Sequence, residues 1–199
     1  MFNLKTFINE GVLIDDTTDF KPIVIAPGRF NPPHRGHKLM IDTLIKLGRE
    51  LNAEPVILII DSGKYGPKNP LTGEVRKQFL QKMFPKVRIE IAPNAYEAVA
   101  KLGDPEKLIP VGGVSGSDRA DNYKKMIGRI FGDEAEKNYK AKVLARDPDA
   151  EEDVAGASAT KARQAAVDGD LAKFRALTGF SGEESKNLMN LVRKGMGVE

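Results

Sequence analysis

Residues 22–37 read Pro22-Ile23-Val24-Ile25-Ala26-Pro27-Gly28-Arg29-Phe30-Asn31-Pro32-Pro33-His34-Arg35-Gly36-His37. Ile23 to Ala26 form an unbroken apolar run, the pattern of a strand covered on both faces rather than one that alternates between core and solvent. Gly28 and the prolines at 32 and 33 then end the extended chain. A helix is expected from Arg35 to Glu50, with Leu39, Met40, Thr43, Leu44 and Leu47 on its inner face.

The same alternation continues along the chain. Strands are expected at Pro55–Ile60, Val87–Ala92, Leu108–Ser115 and Tyr139–Ala145. Helices are expected at Glu74–Phe84, Tyr96–Leu102 and Asp121–Phe131, and in pieces from Ala159 onward, with breaks near Gly169 and Gly179–Gly182. Continuous apolar strands alternating with helices predict an α/β fold: a doubly wound, parallel, five-stranded sheet followed by C-terminal helices. We divide the chain into an N-terminal segment, 1–20, a main domain, 21–178, and a C-terminal helix, 179–199. Ligands of such sheets bind beyond the carboxyl ends of the strands, so the loops there are where chemistry is sought.

Composition narrows the function classes. The chain has 199 residues, enough to bury a sizeable core in one domain. Lys and Arg number 31 against 28 Asp and Glu, and this mild excess suits a phosphate-bearing ligand without demanding nucleic acid. The absence of cysteine excludes disulfides, thiolate catalysis and Cys-type zinc sites, and fits a reducing cytoplasm. No run approaches the ~18 apolar residues of a membrane span. Glu10, Asp15, Asp16 and Asp19 make the N-terminus unlike a secretory signal.

Both histidines of the chain, His34 and His37, lie in the first loop. At a helix start their rings share one face. The unpaired N–H groups of that helix end, with Arg29, Arg35 and Lys38, make an anion site suited to polyphosphate. Zinc needs third and fourth ligands, and neither a cysteine nor another histidine exists to supply them, so no metal site is assigned. A second anion candidate is Gly156-Ala157-Ser158-Ala159-Thr160-Lys161-Ala162-Arg163. Ser158 or Thr160 can cap its helix, and Lys161 and Arg163 then stand in the first turn, where cations oppose the dipole unless an anion is bound. Asp147, Asp149, Glu151, Glu152 and Asp153 form an acidic loop, read as solvated.

Gly28-x-Phe30-x-Pro32-x-His34-x-Gly36-His37 resembles the first motif of the HxGH nucleotidylyltransferase superfamily, and its Gly-Arg-Phe opening is most like the archaeal-type nicotinamide-mononucleotide adenylyltransferases. Residues 158–163 resemble the second signature, Ser-x-Thr-x-x-Arg. Asn69-Pro70-Leu71-Thr72-Gly73-Glu74-Val75-Arg76 resembles the Asn-Pro-x-Thr-x-Glu-Arg stretch bordering the mononucleotide pocket. The resemblance covers about residues 22–178 and implies a Rossmann-like fold.

It also implies transfer of a nucleoside monophosphate, AMP from ATP, to a phosphate-bearing acceptor such as nicotinamide mononucleotide, with Mg²⁺ travelling with the triphosphate. His34, His37 and Arg163 are the implied catalytic residues. Gly28, Arg29, Phe30, Gly36, Gly116, Asp118, Ser158, Thr160 and Lys161 are the implied nucleotide contacts. Asn69, Thr72, Arg76 and Tyr96 are assigned to the acceptor, with Lys64 and Lys68 within the same loop. The tryptophan with which the archaeal-type enzymes stack nicotinamide is missing, since the chain has no Trp.

CTP in place of ATP and a non-catalytic nucleotide-binding role stay open, as does homo-oligomerisation. A class I aminoacyl-tRNA synthetase relative shares the histidine loop, but the chain is too short for an anticodon domain. Residues 1–10, ending Ile8-Asn9-Glu10, resemble the cleaved capsid-targeting propeptides of large tailed bacteriophages, which implies packaging in a virion.

Overall fold

A computed structural model describes residues 21–100, 102, 108–116, 119–144 and 158–198. The expected 1–20 segment, with its propeptide reading, and the acidic loop at 147–153 lie outside the described residues.

Five strands form one parallel sheet: β1 (Lys21–Gly28), β2 (Glu54–Ile60), β3 (Arg88–Ala92), β4 (Leu108–Gly116) and β5 (Lys140–Leu144), in the order β3-β2-β1-β4-β5. Chain order reverses at β1, which lies between β2 and β4. The crevice outside the carboxyl ends of β1 and β4 is therefore the topological switch point. The loop carrying both histidines leaves β1 there.

Alternation along β1 divides its side chains between two layers. Val24 and Ala26 face a cluster with Ile57 and Ile59 of β2, covered by α1 (Arg35–Glu50) and α2 (Gly73–Met83). Ile23 and Ile25 face the other way, with Val56 and Leu58. That side is covered by α3 (Ala95–Ala100), α4 (Ala120–Phe131) and α5 (Asp133–Asn138). All eight of these side chains are fully buried, which is why β1 and β2 read as continuous apolar runs; the outer strands β3, RIEIA, and β5, KAKVL, depart from that expectation because they lie at the sheet edges. Each fully buried Ile or Leu contributes about 1.5–3 kcal/mol of hydrophobic stabilisation.

Two local expectations are corrected. The buried face of α1 runs through Ile41, Leu44, Leu47 and Gly48. Leu39, two positions before Ile41 and so on the opposite side of the helix, is 43% exposed. Helix α5 was not expected. Its six residues include only one buried apolar group, Ala135, so no period is visible, but Asp133, Glu134 and Glu136 suit the positive end of the dipole.

The C-terminal part forms a second core. Helices α6 (Ala159–Val167), α7 (Leu171–Thr178) and α8 (Gly182–Met196) pack their Ala162, Ala165, Phe174, Leu177 and Leu188 side chains against Leu71 and Phe79 of the α2 region. Arg193 of α8 donates to the last carbonyls of α6, Ala166 (2.8 Å) and Val167 (3.1 Å). Gly179, left-handed at φ +80°, ends α7 and leaves room for the aliphatic stem of Arg35, 3.3 Å from where a Cβ would stand. The bundle thus abuts the start of α1 and fixes where α6 points.

Candidate active site

The loop after β1 is built around an aromatic stack. Phe30 has the left-handed φ of +50° and is fully buried. Its ring lies over Gly28, so close that a Cβ there would meet ring carbons at 2.9 Å. Gly28 is required for that reason. The Phe30 ring then packs on His37, with centroids 4.7 Å apart, and His37 on His34, at 3.6 Å. The structure therefore brings the two histidines together as the sequence predicts.

His34 is the N-cap of α1, and its Nδ1 accepts from the Gly36 N–H at 3.1 Å. An accepting Nδ1 places the proton of the neutral ring on Nε2, so that nitrogen can donate to an anion. Neither α1 nor α6 has an acidic residue in its first turn, and both positive ends are complementary to an anion.

Ser158 caps α6 by accepting from the Lys161 N–H at 3.2 Å. Arg163 reaches from this helix across 132 positions of chain to donate to the Asn31 carbonyl at 2.8 Å, and its other branch donates to Thr160 Oγ1 at 3.1 Å. Burial, and then the neighbouring Arg29 charge, lower the Arg163 pKa. Like charges gathered at two helix N-termini form a site that an anion stabilises.

A cytidylyltransferase-like family model matches residues 25–169, nearly three quarters of the chain. The chain belongs to the cytidylyltransferase-like family. It is thereby placed in the HxGH nucleotidyltransferase superfamily. A crystal structure of a macrolide-efflux protein from Streptococcus pneumoniae shares the fold, with a TM-score of 0.50 and 18% identity over 80% of this chain. The match spans 56% of that longer protein. No curated protein matches the chain.

In this cytidylyltransferase-like chain a second loop is welded to the first. The Asn31 side chain, 3% exposed, accepts from the Leu71 N–H (3.1 Å) and donates to the Leu71 carbonyl (2.9 Å) and to Asn69 Oδ1. Asn69 in turn donates to the Lys64 carbonyl at 2.8 Å. Both ends of the Asn69 amide therefore hold the loop. Thr72 caps α2, accepting from the Val75 N–H.

Arg76 differs most from expectation. The sequence expectation puts it on the acceptor phosphate, yet its side chain is fully buried. It donates to the carbonyls of Thr72 (3.1 Å), Arg29 (2.5 Å) and Ile60 (3.0 Å) and forms an ion pair with Asp61 at 2.9 Å. A guanidinium consumed in this way braces the loops around the site. Burial lowers its pKa and the Asp61 charge opposes that.

Asp61 itself escaped the sequence reading, although a carboxylate closing the apolar run Val56–Ile60 was the available signal. Its Oδ2 accepts from the Gly73 N–H (2.6 Å) and the Tyr65 hydroxyl (3.0 Å). Burial pushes its pKa up, but Tyr65, Arg76 and the Gly73 and Gly63 amides together hold it below the usual 3.8.

Of the remaining expected residues, Gly116 ends β4 opposite Leu144, and Asp118 lies outside the described residues. Tyr96 stands at the start of α3, 55% exposed, four residues beyond the end of β3. Among the described residues no helix is long and apolar enough to cross a membrane.

Proposed function

We propose that this chain is a nucleotidylyltransferase that transfers AMP from ATP to a phosphate-bearing acceptor, nicotinamide mononucleotide being the first candidate, and releases pyrophosphate. The observation that carries this reading is the Arg163–Asn31 hydrogen bond, which joins the two phosphate-type motifs beside the stacked His34 and His37.

An oxygen of the acceptor phosphate attacks the α-phosphorus of the nucleotide in line. A new P–O bond forms, and the bond from that phosphorus to the bridging oxygen breaks. Pyrophosphate leaves with the bonding electrons. No protein nucleophile is needed, so catalysis is positioning and charge stabilisation. His37, held against Phe30, serves the α-phosphate. His34 and Arg29 hold the β- and γ-phosphates, and Lys161 and Arg163 close on the triphosphate from α6. Gly28 and Phe30 shape the loop, and the Gly36 amide orients His34. Among the described residues no group of three His, Asp or Glu is placed to hold a metal ion, and Asp61 is tied to Arg76. Mg²⁺ enters with the nucleotide as part of the substrate.

The family match favours CTP as a second donor. Both are tested together. Pyrophosphate release is measured with Mg²⁺ and each of ATP, CTP, GTP and UTP. The acceptors are nicotinamide mononucleotide, phosphopantetheine, flavin mononucleotide and glycerol phosphate. Release with one pair, abolished in His37→Ala, identifies the reaction. Nucleotide binding without release across the panel refutes AMP transfer to these acceptors and favours a nucleotide-binding role.

A further inference from the structure

The buried cluster behind the loop connects surfaces that the proposed mechanism treats separately. It has one end in solvent, at Tyr65, which is 52% exposed, and its hydroxyl donates to Asp61. Asp61 pairs with Arg76, and Arg76 holds the Arg29 carbonyl. That carbonyl belongs to the peptide leading into Phe30, whose left-handed backbone places its ring on His37. The backbone of Asp61 is anchored as well, its N–H donating to the Ala92 carbonyl at the end of β3 (2.8 Å). A residue in the left-handed region is held there only when its surroundings determine it, and the bond from Arg76 to the preceding carbonyl does this.

We propose that Asp61 is a positioning residue of the phosphate-binding loop, acting through Arg76 on the Arg29–Phe30 peptide, with Tyr65 as the surface end of the same relay. The proposal rests on the nucleotidylyltransferase reading above. Asp61 touches no substrate. Its carboxylate fixes the guanidinium plane of Arg76, and that plane aims the Arg29 side chain and seats Phe30 beneath His37. Without the carboxylate the Nη2 end of the guanidinium loses its counter-charge and only the Thr72 and Ile60 carbonyls remain to hold Arg76 against the Arg29 carbonyl, so that bond loosens. Gly73 belongs to the device: a Cβ there would stand 2.6 Å from Asp61 Oδ2, in the place its own N–H needs.

The test is a double-mutant cycle on nucleotide affinity, measured by calorimetry with MgATP and MgCTP on the full chain. Asp61→Asn is expected to weaken binding about tenfold in the wild-type background and about threefold when Arg29→Ala is already present, the remainder passing through Phe30 and His37. Tyr65→Phe, a surface change that removes one hydroxyl, is expected to weaken binding about threefold with the same dependence on Arg29. The ring resonances of the only two histidines should shift in Asp61→Asn without nucleotide. Equal factors in both backgrounds, or unchanged affinity, overturn the proposal, because a merely structural carboxylate acts independently of Arg29. Should Asp61→Asn fail to fold, the Tyr65→Phe cycle decides alone. A wild-type chain that binds neither nucleotide overturns the transferase reading and this proposal with it. Binding with no coupling overturns this proposal only.

Discussion

Replacing Asn31 by leucine tests whether the two loops of the site are held together by one buried amide. Leucine keeps the branched outline of asparagine but is bulkier, so no cavity is left and some overpacking accompanies the loss of the amide. What it removes is the partner of the Leu71 N–H and the Leu71 carbonyl, bonded at 3.1 and 2.9 Å, at a residue only 2% exposed. A buried backbone group left without a partner costs about 1–3 kcal/mol, so the two together cost about 4 kcal/mol. A chain of this size loses about 2–4 °C of Tm per kcal/mol, which gives a fall of about 8–16 °C. The Asn31 backbone carbonyl, on which Arg163 rests, is unaffected by the substitution. Any loss of MgATP affinity in Asn31→Leu therefore reports displacement of the loops. Differential scanning calorimetry with and without MgATP reads both effects. A Tm within about 3 °C of wild type would refute the reasoning, because the weld would then be made by other contacts.

Four further outcomes are expected. Gly28→Ala drives a methyl into the buried Phe30 ring and should cost about 1–3 kcal/mol of stability by chemical denaturation, part of it recovered when Phe30→Leu is added. Gly195→Ala sets a methyl against the Pro70 backbone, so α8 must lift, and hydrogen exchange at residues 69–71 should accelerate; unchanged exchange would show that α8 does not hold that loop. Arg163→Lys keeps the charge but loses the fork between the Asn31 carbonyl and Thr160, and MgATP affinity should fall about tenfold by calorimetry. The Asp61 carboxyl titrates below 3.8 in the folded chain. Its contribution is thus complete well above that pH and is lost as pH falls from 3.8 through the lower folded value, so the acid limb of stability should be flatter in Asp61→Asn.

The parallel sheet was legible because β1 and β2 are buried on both faces, and burial on both faces removes the alternation that marks other strands. Helix α5 was not legible, because its single buried group, Ala135, cannot set a period. In the site, the local features were legible. His34 and His37 fall together because residues three apart at a helix start share a face, and Ser158 caps α6 because a hydroxyl before a helix finds its free N–H groups.

What the sequence by itself determined is each half of the site: a strand, a glycine that Phe30 needs beneath it, a helix opening on two histidines, and a second helix opening on Ser158 and Arg163. These follow from short-range sterics and hydrogen bonding, which act within one turn or loop. Only the tertiary structure decided how the halves meet. The Arg163–Asn31 bond spans 132 positions and exists because the C-terminal bundle packs on α2 and sets the direction of α6. The same is true of Arg76, which local spacing placed toward an acceptor. A guanidinium is drawn inward wherever a carboxylate and three carbonyls converge, and that convergence is made by the ends of β1 and β2 and the start of α2. Once buried there, its charge is matched by Asp61 and its Nε and Nη1 donors by carbonyls, so it holds the site's loops in place.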